Sequence, residues 1–309
     1  MSQKVFILGS FVADVAFRTS RLPSWGETLM GNLFALGPGG KGSNQAVASA
    51  RAGAKTQILS KLGDDTFGQI ARDIWEDAGV DASLTKSCAV ATGAAAILID
   101  DETGENGIII VPGACFTLTP AEVEEATDDI RSAKVFLTQL ELPIAVVERG
   151  LELARAGAVP TILNPAPAPT EPLPEALIAL SDYIVPNETE AAILTGLPVE
   201  DITQAKAAAK KLQAMGARNV ILTLGSKGAL VVTEDGTETI VSSFNAGPVV
   251  ETTGAGDAFC GGFAAALAEG KPLLEAVRFG CATAGISVTR AGTAPSMPKR
   301  AEIDALLAK

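Results

Sequence analysis

The 309-residue chain contains no histidine. That absence removes every Ser-His-Asp and Cys-His nucleophile system, the HExxH zinc site and any imidazole base. Acid-base work in an enzyme of this sequence therefore falls to carboxylates or lysine. Cysteine is scarce too. The four thiols, Cys88, Cys115, Cys260 and Cys281, are widely spaced, lie in apolar or small-residue contexts and form no paired metal motif, so they read as buried thiols rather than a disulfide framework. Basic residues are outnumbered, with 24 Lys and Arg against 36 Asp and Glu and a formal net charge of −12. Nucleic acid is excluded as a partner, because affinity for a phosphate backbone needs clustered Lys and Arg. No run reaches the roughly 18 apolar residues of a membrane span; Phe259 to Leu267 is short and carries glycines. A membrane partner is excluded on that ground. Met1 to Phe17 has a single lysine and an apolar stretch broken by Ser10 and Asp14, which reads as a first strand rather than a signal peptide. Cytoplasmic residence is the expectation that follows.

What is present is ordinary globular material, 47% hydrophobic and 19% charged, enough for one large domain with an accessory piece. Val5 to Gly9 is a β-branched and apolar run ending in glycine, a strand that opens an α/β sheet. Gly42 to Gly53 is an Ala-rich helix with a glycine stop. Strand and helix then alternate: Thr56 to Lys61 with Phe67 to Asp77, Ala133 to Gln139 with Ile144 to Ala156, and helix Ile202 to Met215 before strand Val220 to Leu224. That alternation predicts a mostly parallel sheet with helices on both faces. Two stretches depart from it. Glu27 to Leu36 and Thr85 to Ile110 alternate apolar with small or polar residues, with turn signals at Asp100 to Gly104 and Glu105 to Gly107, as hairpin strands do. They predict a small sheet projecting over the main one, the place of a lid. The Pro-rich segment Asn164 to Pro174 reads as a rigid surface loop. Ala255 to Ala268 and Leu273 to Thr289 read as two long helices of small residues.

Four short segments carry chemistry. Glu251 to Phe259, ETTGAGDAF, places Gly254-Ala255-Gly256 at a helix start, where free backbone N–H groups and the positive end of the helix dipole receive anionic oxygens. Asp257 in that turn can take a hydroxyl proton while the N–H groups stabilise charge on a transferred phosphoryl group; it would equally serve as a helix-capping residue. Gly37 to Ala46, GPGGKGSNQA, has four glycines within six residues, which fits close approach of backbone to a ligand or a flexible turn. It is not a Walker A loop, because Gly42 follows Lys41 where Ser or Thr is required. Pro186 to Ala191 has Asn187 and Glu190 at capping-box spacing, and the same two residues suit outer ligation, through water, of magnesium on nucleotide phosphates. Thr223 to Gly228, TLGSKG, is a strand ending in a Gly-rich turn.

Together these segments resemble the ribokinase-like sugar kinase family. Gly39-Gly40-Lys41-Gly42-x-Asn44-Gln45-Ala46, Gln139-Leu140-Glu141, Asn164 to Ala168, Pro186 to Glu190, Thr223 to Ser226 and Gly254 to Asp257 occur in the family's order and spacing, over nearly the whole chain. The resemblance implies a single domain over 1–309, folded as a three-layer α/β/α sandwich with a small β-sheet lid. The lid segments would be inserted at about 11–37 and 85–111 and would pair in a homodimer. It implies ATP and Mg2+, with Asp257 as base and the Gly254, Ala255 and Gly256 amides as an anion hole. Asp14, Gly40, Lys41, Asn44 and Glu141 would hold the sugar, and Asn187, Thr223, Gly225, Ser226, Gly228 and Gly256 would sit on ATP. Cys281 would lie near the adenine and Glu190 in the magnesium water network. A K+ site would align with Glu251, Thr253, Ser287, Arg290, Gly292 and Ser296, several of which would contribute only carbonyls.

Two positions depart from the family pattern. Val12 stands where an asparagine precedes the sugar-binding aspartate, and Glu251 stands where an aspartate helps hold the cation. The expected reaction is transfer of the ATP γ-phosphoryl group to a primary hydroxyl of a pentose such as ribose. A 2-deoxy sugar such as 2-deoxyribose, a keto-deoxy acid or a nucleoside are the enzymatic alternatives; a sugar- or nucleotide-binding regulator without the reaction is the alternative outside enzymes.

Overall fold

Short apolar runs buried on both sides make the central sheet of the computed structural model, which describes residues 3–103 and 105–309. Its eight strands are β1 (Lys4–Leu8), β4 (Lys55–Leu59), β9 (Val135–Thr138), β10 (Thr161–Leu163), β11 (Tyr183–Ile184), β12 (Asn219–Thr223), β13 (Ala229–Val232) and β14 (Glu238–Val241). They lie in the order β14-β13-β12-β11-β10-β9-β1-β4. Every pairing from β4 to β12 is parallel, and β13 and β14 close the far edge as antiparallel hairpin strands. Strand side chains alternate between faces, so Val5 and Ile7 enter one core while Phe6 and Leu8 enter the other.

Helices cover each face. Among the described residues, α1 (Lys41–Arg51), α2 (Thr66–Ala78), α9 (Ala255–Ala268), α10 (Leu273–Ser287) and α11 (Arg300–Leu307) pack on the Val5 side. On the Phe6 side lie α3 (Pro120–Glu124), α4 (Thr127–Arg131), α5 (Ile144–Ala156), α6 (Glu175–Ala179), α7 (Glu188–Thr195) and α8 (Ile202–Ala214). The result is the expected three-layer α/β/α sandwich. No helix among the described residues is long and apolar enough to cross a membrane.

The small-residue composition of α9 has a direct use. A Cβ at Gly261 would meet the Ala48 Cβ at 2.5 Å and the Gln45 carbonyl at 2.6 Å. Glycine there lets α9 press against α1, which brings Asn44 and Gln45 beside Asp257. The start of α1 is seated in the same way: a Cβ at Gly42 would lie 2.4 Å from the Gly9 Cα, so the helix begins directly on the end of β1. Ligand sites in such sheets lie beyond the carboxyl ends of the strands, where the strand order reverses. Here the chain leaves β1 toward β4 on one side while β9 takes the other.

A second, four-stranded sheet has the order β3-β2-β7-β8, from β2 (Val12–Thr19), β3 (Leu33–Gly39), β7 (Thr92–Asp100) and β8 (Asn106–Gly113). A parallel pair, β5 (Lys61–Gly63) with β6 (Lys86–Cys88), stands apart from both. The small sheet differs from expectation in its bounds. Met1 to Phe17 is not one strand: the chain breaks after Leu8, and β2 restarts at Val12 in the other sheet. The expected strand at 27–36 begins only at Leu33; before it, the Asn32 N–H reaches the Arg18 carbonyl at 2.8 Å. Gly104, in the expected turn, and Met1 and Ser2 lie outside the described residues. Asn164 to Pro174 is not wholly a surface loop either. Asn164, Pro165 and Ala166 are buried and only the later part is open. Of the four cysteines, Cys115, Cys260 and Cys281 are buried as expected, whereas Cys88 is only partly so.

Candidate active site

The carboxyl ends of β10, β11 and β12 converge with the starts of α1, α7 and α9 on one cleft of about 140 Å³. Lys41, Asn164, Asn187, Glu190, Thr223 and Asp257 are among its lining residues, with Gly254 and Gly256 at the mouth of α9. Gly254 caps α9 with φ 81°. The first-turn amides of that helix have no carbonyl four residues back to receive them. The Ala255 N–H is used locally, donating to the Thr252 carbonyl at 3.1 Å. Of the amides expected in the anion hole, that of Ala255 is thus taken, while those of Gly256 and, beside it, Asp257 have no backbone partner among the described residues.

Asp257 is buried, 6% exposed, and both of its oxygens are held by side-chain amides. Asn44 Nδ2 donates to Oδ2 at 3.0 Å and Gln45 Nε2 donates to Oδ1 at 2.9 Å. The Asn44 Oδ1 is buried with no partner among the described residues, an acceptor ready for a hydroxyl. Glu141, just past β9, accepts from the Lys41 N–H at 2.8 Å and from the Ser10 hydroxyl. The carboxylate of Asp14, on β2, packs against Gly39 so closely that a Cβ there would lie 2.4 Å from its oxygens. Val12, two residues earlier on the same face of β2, is 5% exposed and paired with Gly39 and Gly93.

The charges explain one another. Burial pushes the Asp14 carboxyl up to about 6, and the neighbouring carboxylates of Glu141, Asp257 and Glu251 push it the same way. Burial alone would lower the Lys41 ammonium, but the carboxylates of Asp257, Glu141 and Glu190 outweigh it and hold Lys41 above its ordinary value. Burial raises Glu190 above the usual carboxylate range, against the Asn187 N–H bond and the Lys41 charge that lower it. The Lys41 ammonium thus sits among acidic groups. It can receive a phosphoryl group, while the acids accept hydroxyl protons.

The remaining expected residues fall into three groups. Asn187 and Glu190 form a reciprocal capping box: Asn187 Oδ1 accepts the Glu190 N–H at 2.8 Å and Glu190 Oε2 accepts the Asn187 N–H at 2.9 Å. Both still line the cleft, so the capping role and an outer-sphere role coexist. Thr223 lines it too, whereas Gly225, Ser226 and Gly228, in the turn after β12, and the buried Cys281 on α10 do not. Of the six residues aligned with a cation site, Glu251 spends Oε2 on the Gly292 N–H at 2.8 Å. The Ser287 hydroxyl donates to the Ala284 carbonyl, Arg290 pairs with Glu302, and the Ser296 hydroxyl donates to the Thr293 carbonyl. The two hydroxyl oxygens and the backbone carbonyls keep lone pairs for an ion; Thr253, in the turn before α9, is exposed. Gly40 caps α1, and its carbonyl accepts the Asn44 N–H at 2.9 Å. The cleft also takes in Ala166, Val185 and Cys260, and Ser10, Gln45, Gln139 and Asn164 complete its hydrogen bonding; none of these was singled out by residue type. Gln139 and Asn164 did sit in the matched blocks, which was the available signal.

A buried carboxylate at the open N-terminus of a helix, with a lysine among further acids on an α/β/α sandwich, is the arrangement of a phosphotransferase acting on an alcohol group. The pfkB family carbohydrate kinase model matches residues 2–300. The chain is 38% identical to the ribokinase of Haemophilus influenzae over 302 residues, covering 98% of this chain and 97% of that one. It is 35% identical to the deoxyribokinase of Salmonella typhimurium over 294 residues, covering 95% of each. The solved structure of Arabidopsis thaliana ribokinase complexed with ribose and ATP superposes with a TM-score of 0.94 at 33% identity, over the full length of both chains. The chain belongs to the pfkB family of carbohydrate kinases, and it is an ATP-dependent sugar kinase.

Proposed function

We propose that this protein transfers the γ-phosphoryl group of ATP to a primary hydroxyl of a pentose such as ribose, with Asp257 as the base. The observation that carries this reading is the Asp257 carboxylate, buried and held on both oxygens by neutral amides, one residue from the open Gly256 amide. A hydroxyl brought to Asp257 gives up its proton there, and the oxygen attacks in line. Negative charge growing on the transferred group meets the Gly256 and Asp257 N–H groups and the Lys41 ammonium. Asp14, Asn44, Lys41 and Glu141 orient the sugar, and Asn187, Thr223 and the Gly225 to Gly228 turn hold the nucleotide. Glu190, a buried carboxylate on the cleft, fits Mg2+ through water. When bound with ATP, that ion neutralises phosphate charge.

The four-stranded sheet is read as a lid over the sugar, and its apolar outer residues as the surface of a homodimer. Phe34, Ile109 and Val111 are all more than half exposed, and exposed apolar side chains of this size suit an interface. Sedimentation of wild type against Phe34→Lys reads this, and a wild-type monomer at micromolar concentration would sink it. Unpaired thiols at all four cysteines suit a reducing compartment, so a cytoplasmic setting is proposed with them.

A second reading is favoured by Val12. A buried valine on the face that carries Asp14 offers no hydrogen bond, so a sugar hydroxyl against it would lose its water partners without replacement. On this reading 2-deoxyribose is the better substrate. The test is ADP formation over a panel of ribose, 2-deoxyribose, hexoses, a keto-deoxy acid and nucleosides. Turnover of a pentose is expected. ATP and sugar binding without ADP formation from any member would make the protein a silent binder and overturn the kinase reading for this chain.

A further inference from the structure

Behind Asp257 lies a chain of buried amides whose polarity is fixed from one end. The Val185 carbonyl can only accept, so Asn164 must turn its Nδ2 toward it, at 2.9 Å. That leaves Asn164 Oδ1 facing α1, where it accepts from Gln45 Nε2 at 3.0 Å. The same Nε2 donates to Asp257 Oδ1 at 2.9 Å. The Gln45 Oε1 is therefore turned away from the carboxylate, and Gln139 Nε2 donates to it at 2.5 Å. Gln45 is fully buried, Gln139 is 1% and Asn164 7% exposed. Such a network costs stability when any member is unsatisfied, and the Gln139 Oε1 has no partner among the described residues. Reversing the Gln45 amide would set its oxygen against both the Asp257 carboxylate and the fixed Asn164 Oδ1, two repulsions that a rotation of Gln139 could not relieve.

We propose that Gln45 is a positioning residue for Asp257. Anchored through Asn164 on the Val185 carbonyl, it is compelled to offer N–H, never oxygen, to the carboxylate, which keeps Asp257 an acceptor in one orientation. This inference rests on the reading of Asp257 as base. Asn44 holds the other oxygen and keeps a buried Oδ1 without a partner among the described residues; Gln45 meets the base with an N–H whose orientation is fixed from behind by Asn164. The charged and titratable groups around Asp257 are Asp14 from β2, Lys41 from α1, Glu190 from α7 and Cys260 from α9 itself. None of them touches Gln45 by a hydrogen bond, so a change at Gln45 reaches the base through the amide contact.

The test compares Gln45→Met and Gln45→Glu, with melting temperatures to verify folding. Gln45→Met removes the N–H. It should lower kcat roughly ten- to a hundredfold, the effect of losing a hydrogen bond to a charged group, with the KM values for sugar and ATP little changed. The acid limb of its kcat profile should move to higher pH, because a donor to the charged carboxylate has gone. Gln45→Glu is closer in shape but presents oxygen, and at pH 8 it should be less active than Gln45→Met. A packing role predicts the reverse order and an unmoved acid limb, and either result overturns the proposal. If neither variant folds, Gln139→Met decides: it releases the Gln45 amide from a distance and should give a smaller kcat loss with the same movement of the acid limb. Asp257→Asn runs alongside. An inactive Asp257→Asn with a normal Gln45→Met sinks only this inference, whereas an active Asp257→Asn sinks the assignment of the base.

Discussion

Replacing Asp14 by asparagine should stabilise the ligand-free protein while weakening its use of sugar. Asp14 lies where burial and the carboxylates of Glu141, Asp257 and Glu251 raise its carboxyl from 3.8 to about 6. At 1.36 kcal/mol for each tenfold step in proton affinity, that rise is worth at most about 3 kcal/mol. Partial exposure to solvent reduces the usable part to about 1–2 kcal/mol. The folded protein binds this proton more tightly than the unfolded chain does. Its contribution to stability is therefore complete below pH 4 and is lost as the pH rises through about 6. Above that, an ionised Asp14 is a standing cost, which a bound sugar hydroxyl would offset by donating to it. Asp14→Asn removes the charge. Its melting temperature should exceed that of the wild type by a few degrees at pH 8 and by little at pH 4.5, while kcat/KM for the sugar falls. Thermal unfolding of both proteins across pH 4.5–8 without ligand is the assay. A variant less stable than wild type at pH 8, or an advantage that does not change with pH, would refute the reasoning.

Two further outcomes follow from the departures at Val12 and Glu251. Val12→Asn should shift relative kcat/KM toward ribose and away from 2-deoxyribose by about five- to a hundredfold, the value of one buried polar group gaining its partner. A wild type that prefers ribose, with an unchanged ratio in the variant, would end the deoxy-sugar reading. Glu251 gives its carboxylate to the Gly292 N–H, so replacing Na+ by K+ at constant ionic strength should raise activity little in wild type and more in Glu251→Asp; strong K+ activation of the wild type would contradict this.

How far the structure could be read from the chain depended on the range of the interactions concerned. The layers were legible because strands such as β1 and β9 are apolar runs buried on both faces and several long helices have a start and stop, as with Asp65 before α2 and Gly79 after it. The small sheet was harder. Ser10 and Asp14 interrupt the apolar pattern too weakly to show that the chain changes sheets between Leu8 and Val12, and nothing local fixes Leu33 as the first residue of β3. Asp257 and its glycine turn were visible as a helix start with a carboxylate, whereas Lys41, Asn44 and Glu141 came only with the family resemblance of the blocks that hold them. The amide chain was not. Gln45 meets Gln139, Asn164 and Asp257 across separations of 94, 119 and 212 residues, and periodicity carries no information over such distances. The same long-range bonds bury the start of the Pro-rich segment that composition alone assigned to the surface. Ala255 was placed in the anion hole by its position in the motif; only the geometry of the turn shows its N–H spent on Thr252.

The central claim is that Asp257 takes the hydroxyl proton, and its most direct measurement is the single-turnover rate of Asp257→Asn with saturating ATP, Mg2+ and the preferred pentose. Asparagine keeps the size of the side chain but cannot accept the proton. The rate should fall roughly 10²–10⁴-fold, with dissociation constants for sugar and ATP, measured by calorimetry, close to those of the wild type. Retention of more than about a tenth of the wild-type rate would contradict the account.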